Sequence, residues 1–186
     1  MDFFEIILER HSVRAYLDKP VEEEKLQKIM GAGLHSASAR NRQSYKIYVV
    51  KDKELRKKII QANFAGNFWM KEAPVIMVVC IKAKKEAEQE DYGHNYIDAG
   101  IMLENMMLAA TAQGLGSCAA AAFDPEKVRA VLSIPENLKA IICLPVGYPR
   151  EERKGMIDWP KDYEKLIHAL THYKERKIED IYIIKG

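Results

Sequence analysis

The stretch YIDAGIMLENMMLAATAQGLG, Tyr96–Gly116, limits the fold more than any other part of the chain. Ile97, Ile101, Met102, Leu103, Met106, Met107 and Leu108 surround the axis of a helix that only Asp98, Glu104, Asn105 and Gln113 interrupt. A helix apolar on nearly all sides must be buried on nearly all sides. The chain has 186 residues, which suits one domain with a sizeable core. A core of that size strains to cover such a helix alone, so a homodimer interface is expected along it. The alternative is a central helix enclosed entirely by its own chain.

Other segments fill in around that helix. MDFFEIILER reads as a short helix, and VEEEKLQKIMGAGLHSA as a longer one with Leu26, Ile29, Met30 and Leu34 at helical spacing. KIYVVK and PVIMVVCI read as buried strands, separated by the helix KELRKKIIQA with Asp52 as its cap. KAKKEAEQED reads as a charged helix or surface loop. Asp124-Pro125-Glu126 starts a further helix, and KAIICLPVGYP gives a strand and a sharp turn. KDYEKLIHALTHYKER is a helix with Tyr163, Leu166, Ile167 and Leu170 inward, and EDIYIIKG closes the chain as a lone strand. No repeat or linker breaks this order, so one mixed α and β domain over 1–186 with a helix-covered sheet is expected.

Composition excludes several function classes. Apolar residues make up 48% and charged residues 30%, which is a folded rather than a disordered balance. A net charge of +2 provides no field that demands a nucleic-acid partner. The N-terminus lacks the pattern of a signal peptide, and no apolar stretch is long enough to span a bilayer, so a cytoplasmic chain without membrane contact is expected. Cys80, Cys118 and Cys143 are odd in number, far apart and without a CxxC, and read as reduced core thiols. His168 and His172 have zinc-compatible spacing, but Ala169 stands where a HExxH site needs glutamate, so no metal is expected. There is no GxSxG elbow and no phosphate-binding P-loop, and GLGSCA follows a helix where a dinucleotide fingerprint follows a strand.

Four polar or small-residue segments lie between these core elements. RHSVR, Arg10–Arg14, sits where the first helix gives way to extended chain, and alternation would place Arg10, Ser12 and Arg14 on one face. The others are the turn SARNRQSY, the run SCAAAAF and the segment GYPREERK with Arg150, Arg153 and Lys154. Arginine suits bidentate phosphate contact, and small side chains leave backbone N–H groups open to a flat ring. Together they point to a phosphorylated planar ligand. Each alone also has a structural explanation, such as basic residues complementing a helix C-terminus.

In this order the segments resemble the nitroreductase family of FMN-dependent oxidoreductases, over about Met1 to Pro149. RHSVR is similar to the family's opening basic stretch. In ASARNRQSY, Ser38, Asn41 and Gln43 match its Ser, Asn and Gln, while Ala37 and Ser44 replace prolines and Tyr45 stands for a tryptophan. EAPV, DAGIMLENMMLAATAQGLGSC and LPVGYP resemble a strand start, the interface helix and a strand with its turn. The resemblance implies an α+β helix–sheet–helix sandwich on a mostly antiparallel sheet, built as an intertwined homodimer with FMN at the interface. It implies that the C-terminal strand 179–185 is exchanged with the partner subunit.

The resemblance also implies the site. Arg10 and Ser12 hold the FMN phosphate with His11 beside them, and Arg14 reaches the flavin near N1 and O2, where a fixed cation favours the reduced ring. Ser38, Ala39 and Asn41 approach from the partner subunit. Backbone groups of Ala120, Ala121 and Ala122 meet the N5 and O4 edge, and Arg153 or Lys154 completes the phosphate site, with Arg150 an alternative. Asn67 is a further contact or a plain loop residue. The implied activity is ping-pong reduction of nitroaromatic, quinone or similar planar acceptors with NADH or NADPH. No side-chain nucleophile or general base is expected. A flavin carrier or redox sensor without turnover, or a dehalogenase or flavin-degrading enzyme on the same scaffold, stays open at this point.

Overall fold

The fold is built on a central strand buried on both faces. The computed structural model describes residues 1–63, 65–83 and 89–150. Contacts divide the chain into Met1–Arg153 and Lys154–Gly186, and the description concerns the first of these units. Its strands are β1 (Tyr45–Val50), β2 (Val75–Lys82), β3 (Gly116–Ser117) and β4 (Leu138–Gly147). They form one antiparallel sheet in the order β1-β2-β4-β3. Every residue of β2 but Lys82 is buried, as its continuous apolar run requires.

Alternation along β2 sorts the core into two layers. Val75, Met77, Val79 and Ile81 share one face with Leu144 and Val146 of β4. Onto it pack α2 (Glu23–Leu34), through Leu26 and Ile29, and α4 (Gln89–Ala112), through Ala99, Met102, Leu103, Met106 and Ala110. Ile76, Val78 and Cys80 point the other way. There α5 (Pro125–Leu132) packs on β4 and on α3 (Lys53–Gln61). Local chemistry starts these helices. Asp52 and Asp124 cap α3 and α5 by accepting backbone N–H groups, and Pro125 sits in the first turn of α5. A capping box between Asp2 and Glu5 starts α1 (Phe3–Glu9), which has no buried residue and packs on α4.

Three sequence expectations need correction. The apolar helix spans Gln89–Ala112 rather than Tyr96–Gly116. Gln89, Glu90 and Asp91, expected in a separate charged segment, are its first residues. It ends early because Gly114 turns left-handed at φ 71, with the Leu115 N–H reaching back to the Ala110 carbonyl. Gly116 and Ser117 are then free to pair with β4. Of the residues placed at helical spacing in α2, Leu34 is not buried with Leu26 and Ile29 and is 67% exposed. Gly33 takes the buried position against Met102 and Met106, where a side chain would crowd the two methionines. The loop around Asn67 is a 3-10 helix, Ala65–Glu72. The expected C-terminal helix and the strand 179–185 lie outside the described residues.

Part of α4 and most of the apolar side chains of α1 are left open by the described residues. Phe3, Phe4, Ile7, Leu8, Ile97 and Ile101 are all exposed, Leu8 at 83%. The described residues thus bury one side of α4 and leave the other uncovered.

Candidate functional site

The segment after α1 is seated by the smallest residue of β3. Arg10 caps the helix, and the chain then runs extended beside β3: Ser12 bridges Ser117, and the Val13 N–H donates to the Ser117 carbonyl at 3.0 Å. Val13 is buried against Gly116, where a Cβ would meet the valine side chain at 2.6 Å. With Val13 turned in, Ser12 and Arg14 turn out and are exposed. Below this segment Tyr16 is fully buried and donates its hydroxyl to the Val13 carbonyl at 2.6 Å. Arg150 donates to the Tyr16 carbonyl at 2.9 Å and pairs with Glu72 at 3.0 Å, which locks the far end. Burial holds the Tyr16 phenol well above its usual range.

Ser12 and Arg14 share one side of the segment, as alternation requires. Cys118, which follows Ser117, is a buried thiol. Burial pushes that thiol up, while Arg14, a hydrogen bond with Ser12 and then Arg10 pull it back. The Arg14 guanidinium lies 5.8 Å from the Trp69 ring centroid, which braces it. Arg10 pairs with Glu104 of α4 at 3.3 Å. His11 is exposed, its Nδ1 2.8 Å from the Glu9 carbonyl oxygen.

The small-residue run continues from Cys118. Ala120 exchanges both backbone hydrogen bonds with Cys143, at 2.9 and 2.8 Å, so its own N–H and carbonyl are used within the sheet. Ala121 and Ala122 are exposed. Asn67 donates to the Ala122 carbonyl at 2.9 Å, tying the 3-10 helix to this edge. Arg10, Ser12, Arg14, Ala120, Ala121, Ala122 and Asn67 therefore form one group.

Ser38, Ala39 and Asn41 form a second group. Arg40, Asn41 and Gln43 all have left-handed backbone, at φ 53, 54 and 48. Left-handed non-glycine residues persist where their surroundings over-determine them, and they cluster at functional sites. Here the Ser38 hydroxyl accepts the Gln43 N–H at 3.1 Å, and Asp98 accepts the Ala39 N–H at 3.0 Å. Arg153 and Lys154 lie outside the described residues.

A cavity of about 580 Å³ lies behind Tyr16, lined by Lys51, Lys53, Arg56, Lys57, Lys71 and Arg150 among others. Of the described residues assigned above to a flavin, Arg150, the alternative phosphate ligand, lines it and the others do not. Among the described residues no cluster of side chains could hold a metal ion, and no helix is long and apolar enough to cross a membrane.

The first group holds two arginines, a serine hydroxyl and the exposed Ala121 and Ala122. Comparison with known proteins gives the chain a family. Residues 2–182 match the family described as "Putative TM nitroreductase". The chain belongs to the nitroreductase family. A protein of Archaeoglobus fulgidus named "Putative NADH dehydrogenase/NAD(P)H nitroreductase" is 32% identical, over 80% of this chain and 86% of that one. The NADPH-flavin oxidoreductase of Vibrio harveyi is 29% identical, over 95% of this chain and 77% of its own. The structure of an FMN-dependent nitroreductase from Clostridium difficile superposes with a TM-score of 0.72 at 27% identity, covering 93% of this chain and 99% of that one. The relatives of this nitroreductase-family chain are oxidoreductase enzymes, and its fold is the family's α+β sandwich.

Trp69, Cys118, Glu72 and Asp98 take part in the site and were not singled out for it from the sequence. For Asp98 a signal existed. It is one of the polar residues interrupting the most apolar helix, and each of those four reaches a neighbouring segment: Asp98 to Ala39, Glu104 to Arg10, Asn105 to Ser36 and Gln113 to Lys25.

Proposed function

We propose that this chain binds FMN and uses NADH or NADPH to reduce nitroaromatic, quinone or similar planar acceptors, donor and acceptor taking turns in one pocket. The extended segment that starts at Arg10, pairs with β3 and turns Ser12 and Arg14 outward carries this reading, together with exposed Ala121 and Ala122. Bound flavin supplies the hydride-transfer chemistry, and the protein supplies position and electrostatics. Arg10 and the Ser12 hydroxyl hold the phosphate, with His11 beside them. Arg14, steadied by Trp69, holds a fixed positive charge at the pyrimidine edge, where negative charge develops on reduction. The backbone of Ala121 and Ala122 meets the N5 and O4 edge, while Ala120 anchors that run to Cys143. Asn67 acts through Ala122, whose carbonyl it holds.

The reading includes a homodimer. Phe3, Phe4, Ile7 and Leu8 of α1 and Ile97 and Ile101 of α4 form an exposed apolar surface that a second copy would cover, and that copy would bring its Ser38–Asn41 loop to the flavin.

An anaerobic absorbance spectrum tests the function. Flavin bands that bleach with NADH or NADPH are expected. Bands that persist with both donors point to a carrier or sensor, and a colourless protein that takes up no added FMN overturns the reading.

A further inference from the structure

Asp98 is a carboxylate buried to 3% exposure in the most apolar helix of the chain. Its Oδ1 accepts the Ala39 N–H at 3.0 Å, and its Oδ2 is buried without a hydrogen-bond partner among the described residues. Asn95, one turn earlier, is 2% exposed with its Nδ2 equally unpartnered. Burying a carboxylate for one backbone hydrogen bond is expensive, and a neutral side chain could accept the same N–H at less cost. A charged acceptor has one advantage, which is strength.

The loop it holds needs that strength. Between Ser38 and Gln43, three non-glycine residues have left-handed backbone. The bonds from Gln43 to Ser38 and to Asn41 stay inside the loop and cannot attach it to the scaffold. Attachment comes from α4. Asn105 donates to the Ser36 hydroxyl at 2.9 Å just before the loop, and Asp98 grips Ala39 within it. These two residues stand seven positions apart, two turns along one face of the helix. Tyr45, at the loop's far end, lies close enough to the carboxylate that Asp98, after burial, raises its phenol.

We propose that Asp98 is a positioning residue for the cofactor. Its carboxylate clamps the Ala39 N–H and so holds the Ser38–Asn41 loop on α4 in the shape that meets the flavin. The proposal rests on the reading above, in which that loop faces bound FMN.

The test reconstitutes apo-protein with FMN and follows flavin fluorescence and visible circular dichroism, together with the melting temperature of the apo-protein. Asp98→Ala removes the acceptor and is expected to weaken FMN binding about tenfold or more and to alter the flavin dichroism. Asp98→Asn keeps an acceptor in place but gives up its charge, and is expected to bind FMN between Asp98→Ala and wild type, with the wild-type dichroism. Ala39→Pro removes the donor from the surface side. Ser38 already has the extended backbone that precedes proline, φ −144 and ψ 151, so the change is compatible with the local chain. It should match the loss in Asp98→Ala, and the double variant should lose no more than either single one. Wild-type protein that binds no FMN overturns the functional reading itself. Wild-type binding with Asp98→Ala and Ala39→Pro within about twofold of it overturns the clamp alone, as does Asp98→Asn that binds no better than Asp98→Ala. Should Asp98→Ala not fold, Ala39→Pro and Asp98→Asn decide the matter.

Discussion

Arg14 has little freedom, because Val13 is wedged against Gly116 on one side of it and Tyr16 is buried on the other. Its guanidinium stands over Trp69. Arg14→Ala should therefore leave FMN bound through Arg10 and Ser12 while slowing the bleaching of the flavin by NAD(P)H about tenfold or more, read by stopped-flow absorbance on flavin-loaded protein. A wild-type rate would remove Arg14 from that role. That Ser12 and Arg14 share the outward side of their segment was legible in the sequence, because alternation in an extended segment is a local rule. Trp69 and Cys118 were not, because they meet Arg14 only through the sheet and the 3-10 helix, and no local rule pairs residues so far apart. Asp98 and Glu104 fall between these cases: their presence in an apolar helix was visible, and the partner of each was not.

At the level of elements, periodicity found most helices and strands, and capping residues such as Asp52 and Asp124 marked their starts. It failed at the ends of α4, where two influences outweigh hydropathy. The left-handed Gly114 stops the helix, and pairing with β4 claims Gly116 and Ser117. The reading of the cysteines as core thiols agrees with the structure, since all three are buried and free. Cys80 in β2 and Cys143 in β4 are both fully buried, and burial pushes each thiol from 9.0 up to about 12. The unfolded chain loses these protons near the ordinary value, and the folded chain holds them. Stability from this source is thus complete below about pH 9 and declines as pH rises from there towards 12. Thermal melts in reductant should show that decline. The double variant Cys80→Ala, Cys143→Ala should start lower, because it leaves cavities, yet decline less steeply over the same range. Parallel slopes would show that the thiols do not control alkaline stability.

Across the whole molecule, the sequence expectation of an under-covered apolar helix is met on one side only. The sheet and α2 bury Met102, Leu103 and Met106, while Ile97 and Ile101 stay exposed beside α1. Placing a charge at each of two points on this surface, Leu8→Glu with Ile97→Glu, should convert a dimer to a monomer in sedimentation and release FMN. The melting temperature of the apo-protein should fall by what association contributed, because neither side chain is buried within its own chain and the interface is what the charges remove. A wild-type protein that sediments as a monomer would reject the homodimer. The Arg10–Glu104 pair carries a consequence for the order of assembly. Before any phosphate arrives, the charge on Arg10 already has a counter-ion at 3.3 Å, half-exposed and displaceable. On the proposed reading of the site, Glu104 keeps for the empty chain the place that the FMN phosphate takes, so folding would gain from flavin without waiting for it. Flavin supply would then govern chiefly how many molecules are active.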